Sequence, residues 1–340
     1  MLVTRVLGDC PDCRGKQSYG NVSVRGDHVL RGCMHCQYST MVSLPEIRKK
    51  VIYLDQFFFS HAFRGGDVRF ATAVERVKRM THLQLLVSPY SSVHEDETHQ
   101  WRGYKDKSHQ QLMDFIKATS RGAEFEKAYR VEETQVVQDL VNVFDQWQQS
   151  TQTFDQDVAL EMHDAGKNYL QSYLKMVNRI AQGDFNAAID SPIVATVAEH
   201  MLHCLPKETP RAEAISRCEE FFQSEHFAQV PNMWISARLF ATLKDMVKRG
   251  AYSNREEARQ RLSGVFDDIL HISMYAPYCD AFVMDTPMAD LVRQPTVGLE
   301  QRYGVKVFSL NNWDALLVWL NDLETGMTEE HRIGIAAAYP

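Results

Sequence analysis

The run Pro277 to Asp285, PYCDAFVMD, sets an aspartate on each side of an apolar segment: Asp280 before Ala281-Phe282-Val283-Met284 and Asp285 after it. Carboxylates that bracket a short buried strand make a poor core and a good cation site. A buried carboxylate needs a partner, and Mg²⁺ or Mn²⁺ takes oxygen ligands. Far upstream, Val51-Ile52-Tyr53-Leu54 runs into Asp55 by the same design, behind the basic Arg48-Lys49-Lys50. In an open parallel sheet the strand C-termini share one edge, so acids distant in sequence meet there. The chemistry such a group performs is metal-assisted hydrolysis, in which the cation acidifies a water and offsets charge on a phosphoryl oxygen.

A second constellation lies at the N-terminus. Cys10-Pro11-Asp12-Cys13 and Cys33-Met34-His35-Cys36 are two Cys-x-x-Cys knuckles separated by residues 14 to 32. Two thiolates from each hairpin turn complete one tetrahedral Zn²⁺ shell, which leaves His35 a bystander. Alternating Asn21-Val22-Ser23-Val24-Arg25 and the Gly26-Asp27 turn point to a small β-rich unit, and with its two knuckles the stretch 1–45 resembles a zinc ribbon. A ribbon binds RNA, DNA or protein, so the unit alone does not choose a function.

The length of 340 residues, 44% apolar and 24% charged, is that of a globular protein. No apolar run approaches the roughly 20 residues that span a bilayer. The first residues lack the pattern of a secretory signal, and the expected location is cytoplasmic. The net charge of −7 argues against a surface that coats long nucleic acid, so any polynucleotide contact must be local. Basic residues gather at Arg48 to Lys50, Arg64 to Arg79 and Lys244 to Arg261, and each run also reads as a solvated face.

The elements that must position the acids alternate in type. The strand ending at Asp55 leads to a helix through Phe57 to Ser60, a Gly65-Gly66-Asp67 turn and a helix over 68–80. A second strand, Leu83 to Val87, precedes a helical stretch over 91–118 that carries Glu95 and Glu97. From 132 to 252 the spacing of residues such as Leu170, Tyr173, Leu174 and Val177 predicts packed helices, an insertion over about 120–252. The α/β pattern resumes with a helix over 258–276, strands over 281–284 and 305–310, and helices over 287–293 and 313–323. The expected fold class is α/β: a parallel sheet flanked by helices over residues 50–325, with a tail over 326–340.

In the order and spacing of Ile52-Tyr53-Leu54-Asp55, Ser88 to Glu97, Tyr278 to Asp285 and Gly304 to Phe308, the chain resembles the PIN-like nucleases. The resemblance covers roughly 50–100 and 255–323. It implies a PIN-like fold and cleavage of phosphodiesters, generally in RNA, with one or two Mg²⁺ or Mn²⁺ ions on three or four acids. On it, Asp55, Asp280 and Asp285 map onto metal-binding acids. Glu97 is the helix acid and Glu95 its alternative, because two residues apart they cannot share a face. Asp268 is a further acid, next to Asp267, and His271 lies one turn beyond it on the same face. His271 reads either as a donor to a carboxylate or phosphate or as a structural histidine. Lys50 and Arg64 are candidates to steady the substrate phosphate.

Each acid also has a plainer reading. Asp55 and Asp285 sit where an aspartate caps a following helix, but capping does not account for Asp280 ahead of a strand. The cleavage reading therefore hinges on Asp55 and Asp280 sharing one sheet edge. Its competitors are a DNA nuclease of the same fold and a non-catalytic module whose ribbon binds a protein. The remaining cysteines, 204, 218 and 279, read as small buried hydrophobes.

Overall fold

Short alternating segments at the N-terminus pair as an antiparallel sheet in the order β1-β2-β3-β4, made of Arg5–Gly8, Tyr19–Arg25, His28–Cys33 and Ser39–Ser43. In the computed structural model the described residues are 1–126 apart from 26 and 47, residues 139, 142 and 143, and 205–249 and 255–338. Most of the expected helical insertion, including the Leu170 to Val177 pattern and Cys204, lies outside them.

A second sheet has the order β6-β5-β7-β8 and is parallel throughout. Its strands are Lys50–Leu54 (β5), Leu86–Val87 (β6), Ala281–Val283 (β7) and Lys306–Phe308 (β8). Ile52, Tyr53 and Leu54, like all of β7, are buried, as strands covered on both faces must be. The fold is thus mixed α/β, with a parallel sheet flanked by helices and a β-rich N-terminal part.

The chain divides into two compact units, and the division runs through β5. The first comprises Met1–Val51, Gly65–Ser88 and Trp313–Pro340. It holds the antiparallel sheet, α2 (Val68–His82), β6, α10 (Trp313–Thr325) and α11 (Glu329–Ala338). Phe70 of α2 packs on Trp313 at 4.7 Å between ring centres, and Arg79 pairs with Glu324. The stretch 326–340, expected as a tail, is mostly the helix α11. It is tied to the antiparallel sheet by Asn21 Nδ2 and Arg31, which donate to the carbonyls of Ala338 and Ala337, and to the loop before β6 by His331 and the Leu83 carbonyl. The antiparallel sheet thus groups with these helices in one compact unit. Its polar residues satisfy helix-end carbonyls that would otherwise lack partners.

The second unit comprises Ile52–Arg64 and Pro89–Asn312. It holds α1 (Gln56–Arg64), α3 (Ser92–Gln100), α4 (His109–Thr119), α5 (Arg211–Gln223), α6 (Pro231–Lys248), α7 (Arg255–Tyr275), α8 (Thr286–Val292) and α9 (Leu299–Tyr303). The helical stretch expected over 91–118 is two helices. Between them Gly103 takes φ 88°, and a Cβ there would lie 3.1 Å from the Lys107 carbonyl oxygen. No described helix is long and apolar enough to cross a membrane.

Candidate functional site

The Sγ atoms of Cys10 and Cys36 lie 3.8 Å apart and those of Cys13 and Cys33 3.7 Å apart, and all four fall within 4.8 Å of one another. Four sulfurs at about 2.3 Å from a central ion stand about 3.8 Å apart, so the spacing is compatible with a tetrahedral Zn²⁺ site. Left-handed backbone at Arg14 and Gln17 turns the first knuckle, and the His35 N–H donates to Cys33 Sγ at 3.2 Å in the second. Desolvation acts to raise the Cys33 thiol pKa, but hydrogen bonds from Ser18 and the His35 N–H outweigh it and bring it to about 5. Cys36 gains a lowering bond from the Tyr38 N–H, yet desolvation and the neighbouring sulfurs push it to about 12. The four thiols therefore do not all ionise without a cation. Exposed His35 stands outside the cluster, as expected.

The acids of the second unit are gathered by the end of β5. Leu54 pairs with Val283, and the Asp55 N–H donates to the Val283 carbonyl at 2.9 Å. Asp55 and Asp285 thus stand at the C-terminal ends of two neighbouring parallel strands. Both cap helices as well. Asp55 accepts from the N–H groups of Gln56 and Phe57, and Asp285 from Met288 N–H at 2.9 Å.

Helix α3 is clamped to the same place by a buried histidine. His94 Nδ1 accepts from the Ser91 N–H at 2.9 Å, which leaves Nε2–H to donate to the Leu54 carbonyl at 2.8 Å. Gln56 Nε2 adds a bond of 3.0 Å to Thr98. Glu97, between these two ties, brings a carboxylate oxygen within 4.8 Å of Asp268 and His271 and is influenced by Asp55. Glu95 turns away, 3.9 Å from Lys117 Nζ on α4. Helix α7 is seated by rings: Tyr275 stacks on Tyr53 at 5.6 Å and on Phe125 at 4.7 Å, and Tyr53 stacks on Phe282 at 4.9 Å. Each such pair stabilises by about 0.5–1.5 kcal/mol beyond its buried area. The stack holds Asp268 and His271 over the strand ends.

The electrostatics follow from this crowding. Burial, opposed by the Gln56 N–H and reinforced by Asp285, raises Asp55 to about 6. Desolvation first, then Asp55, Asp267 and Asp96, raises Glu97 to about 8. Asp268 reaches about 8 through desolvation and then Asp55, Glu97, Asp285 and Asp267. Among the described residues, every charged group acting on these three is itself an acid. His94 is lowered to about 4, chiefly by burial, and stays neutral. His271 is lowered by desolvation, opposed by Asp267 and Asp96.

Asp280 is a correction. Ala281 pairs with Ile52 and the Asp280 carbonyl accepts from the Lys306 N–H, which places Asp280 at the start of β7. Asp55 follows the other end of its strand, so the two lie on opposite edges, about 13 Å apart along the strand direction. A parallel strand presents only its C-terminal end to this edge, so one of two bracketing acids has to miss it. Asp268 takes the place expected of Asp280. Lys50 likewise opens β5, at the far end from Asp55, and Arg64 ends α1, about 13 Å along the helix from its start. Arg64 lies over the Tyr104 ring at 5.7 Å, and neither cation stands among the acids. Sequence reasoning also passed over His94. Ser91 three residues before it was the available signal, a capping-box spacing with histidine in place of glutamate.

Compared with known proteins, the chain matches no protein-family model, no curated protein and no solved structure.

Proposed function

We propose that the chain is a divalent-metal-dependent phosphodiester hydrolase, an endoribonuclease of PIN-like type, in which Glu97 and Asp268 hold the cation and Asp55 and Asp285 complete the acid group that faces it. The observation that carries this reading is the gathering of carboxylates from β5, α3, α7 and the end of β7: Asp55, Glu97 and Asp268 are each raised by burial and by neighbouring acids, and among the described residues no cation acts on them. Like charges gathered without a counter-charge raise one another's pKa, and a cation relieves this. The donor set is hard oxygen, as Mg²⁺ and Mn²⁺ require. When bound, the cation supplies an acidified water and offsets charge at the scissile phosphate.

The chain's own groups do the rest. Asp55 and Asp285, fixed as helix caps, orient the ligand oxygens, and neutral His94 holds α3 so that Glu97 faces them. The loss of Asp280 from the group removes the pairing on which the sequence reading hinged, and the proposal rests on Asp268 instead. RNA as substrate comes from the family resemblance. Zn²⁺ on Cys10, Cys13, Cys33 and Cys36 is structural, since four thiolates close its shell, and the ribbon docks nucleic acid or a protein partner.

The test is incubation of zinc-loaded protein with labelled RNA and DNA, with Mn²⁺, with Mg²⁺ and without either. The reading expects RNA cleavage only with the added ion and none by Asp55→Asn. DNA cleavage alone gives the substrate to the DNA alternative. No divalent-dependent cleavage leaves the interaction module, and equal cleavage by both proteins reveals a contaminant.

A further inference from the structure

We propose that His271 is a nitrogen ligand to the cation at this site, together with Glu97 and Asp268, and that the mixed set selects Mn²⁺ over Mg²⁺. This rests on the reading that the acid group holds a divalent ion. Asp268 and His271 lie one turn apart on α7, and Glu97 arrives from α3. One oxygen of each acid and one imidazole nitrogen all fall within 4.8 Å of one another. Ligands at about 2.1 Å around one octahedral ion stand roughly 3.0 Å apart when adjacent and 4.2 Å when opposite, so the trio needs little adjustment to close on an ion.

Two independent observations point the same way. The first is a cavity of about 10 Å³ beside the trio, lined by Asp268 and His271 together with Asp55 but not by Glu97, with Tyr53, Phe282, Met284 and Met288 among its other walls. That is room for a single water-sized occupant, and an ion fits it. The second is a contrast between two histidines of the same region. Both ring nitrogens of His94 are engaged, by the Ser91 N–H and the Leu54 carbonyl. His271 makes no hydrogen bond or ion pair among the described residues, although two acids stand within 4.8 Å. A histidine kept for packing has no need to face a carboxylate pair.

Selectivity follows from the donor. Mg²⁺ demands oxygen ligands and sheds water reluctantly, whereas imidazole suits first-row transition ions. An all-carboxylate site serves either ion, and one with a nitrogen ligand discriminates.

The experiment uses full-length, zinc-loaded protein and Mn²⁺ alone as the probe. Electron spin-echo modulation of bound Mn²⁺ should show ¹⁴N coupling, converted to the ¹⁵N pattern when the protein is made with [¹⁵N]histidine. His271→Gln should lose the histidine coupling, weaken Mn²⁺ binding by about tenfold or more and leave Mg²⁺ binding much less affected. If that variant does not fold, the labelled wild type still shows whether a histidine is a ligand, and His271→Asn makes the assignment. Saturable Mn²⁺ binding with no histidine coupling in the wild type overturns the nitrogen ligand and leaves the carboxylate site standing. Absence of saturable Mn²⁺ binding overturns both. Retention of the histidine coupling in a folded His271→Gln protein assigns it to another residue and also refutes the proposal.

Discussion

Replacing Asp268 by asparagine should stabilise the protein when no divalent ion occupies the acid group. In the folded chain Asp268 is raised from 3.8 to about 8. A carboxyl whose folded pKa is raised binds more protons in the native than in the unfolded state between those values. Its favourable contribution is complete below the unfolded pKa and is lost as pH rises through the window, up to about 8. At about 1.4 kcal/mol per pKa unit, a shift of this size corresponds to at most ~6 kcal/mol of lost stability at alkaline pH. The repulsion is shared with Asp55 and Glu97, which relax when one partner is neutral, and solvent reaches the half-buried rim. Roughly 2 kcal/mol is therefore the gain expected from Asp268→Asn at pH 8. The assay is denaturant unfolding of zinc-loaded protein, dialysed free of other divalent ions, at pH 5 and pH 8. Wild type should lose more stability than the variant between the two, and the variant should be the more stable at pH 8. Saturating Mn²⁺ should reverse the order, because ion at a hundredfold excess over Kd adds about 2.7 kcal/mol to the protein that binds it. A variant less stable than wild type at pH 8 without metal would refute the reasoning.

Further outcomes follow from the same geometry. His94→Ala leaves the Leu54 carbonyl and the Ser91 N–H without their buried partner and opens a cavity. It should cost about 2–4 kcal/mol in denaturant unfolding and abolish cleavage. Asp280→Asn and Glu95→Gln should cleave at wild-type rates in a gel assay, whereas Glu97→Gln and Asp285→Asn should fail. Cys33→Ser should lose stoichiometric zinc by elemental analysis, and full retention would remove the cysteine site. Mn²⁺ binding at pH 7 should release protons, because Glu97 and Asp268 are held near 8 and must ionise to coordinate. Calorimetry in buffers of different ionisation enthalpy reads that number.

The parts of the fold legible in the sequence were those with strong local signals. The two Cys-x-x-Cys knuckles carry their geometry in their spacing, and the VIYL and AFV runs could only be buried strands. Glu97 and Asp268 were visible as residue types but not as partners. What joins them is the seating of α3 by His94 and of α7 by the Tyr53–Tyr275–Phe282 stack, contacts between residues far apart in the chain. Asp280 misled for a physical reason. An acid on each side of an apolar run is symmetric in the sequence, while a strand in a parallel sheet has a direction and gives the two ends to different edges. Helix α11 was missed because Glu-Glu-His-Arg-Ile-Gly-Ile-Ala-Ala-Ala has a weak apolar period, and its position is set by hydrogen bonds to the N-terminal antiparallel sheet.

The central claim, that the acids at the C-terminal edge of the parallel sheet hold a divalent ion, is tested most directly by anomalous scattering from crystals of the zinc-loaded protein equilibrated with Mn²⁺. The account predicts a manganese peak about 2.1 Å from carboxylate oxygens of Glu97 and Asp268, facing Asp55 and Asp285, and none beside Asp280. Saturating Mn²⁺ with no peak at that edge, and the acids instead sharing protons with one another, would contradict it.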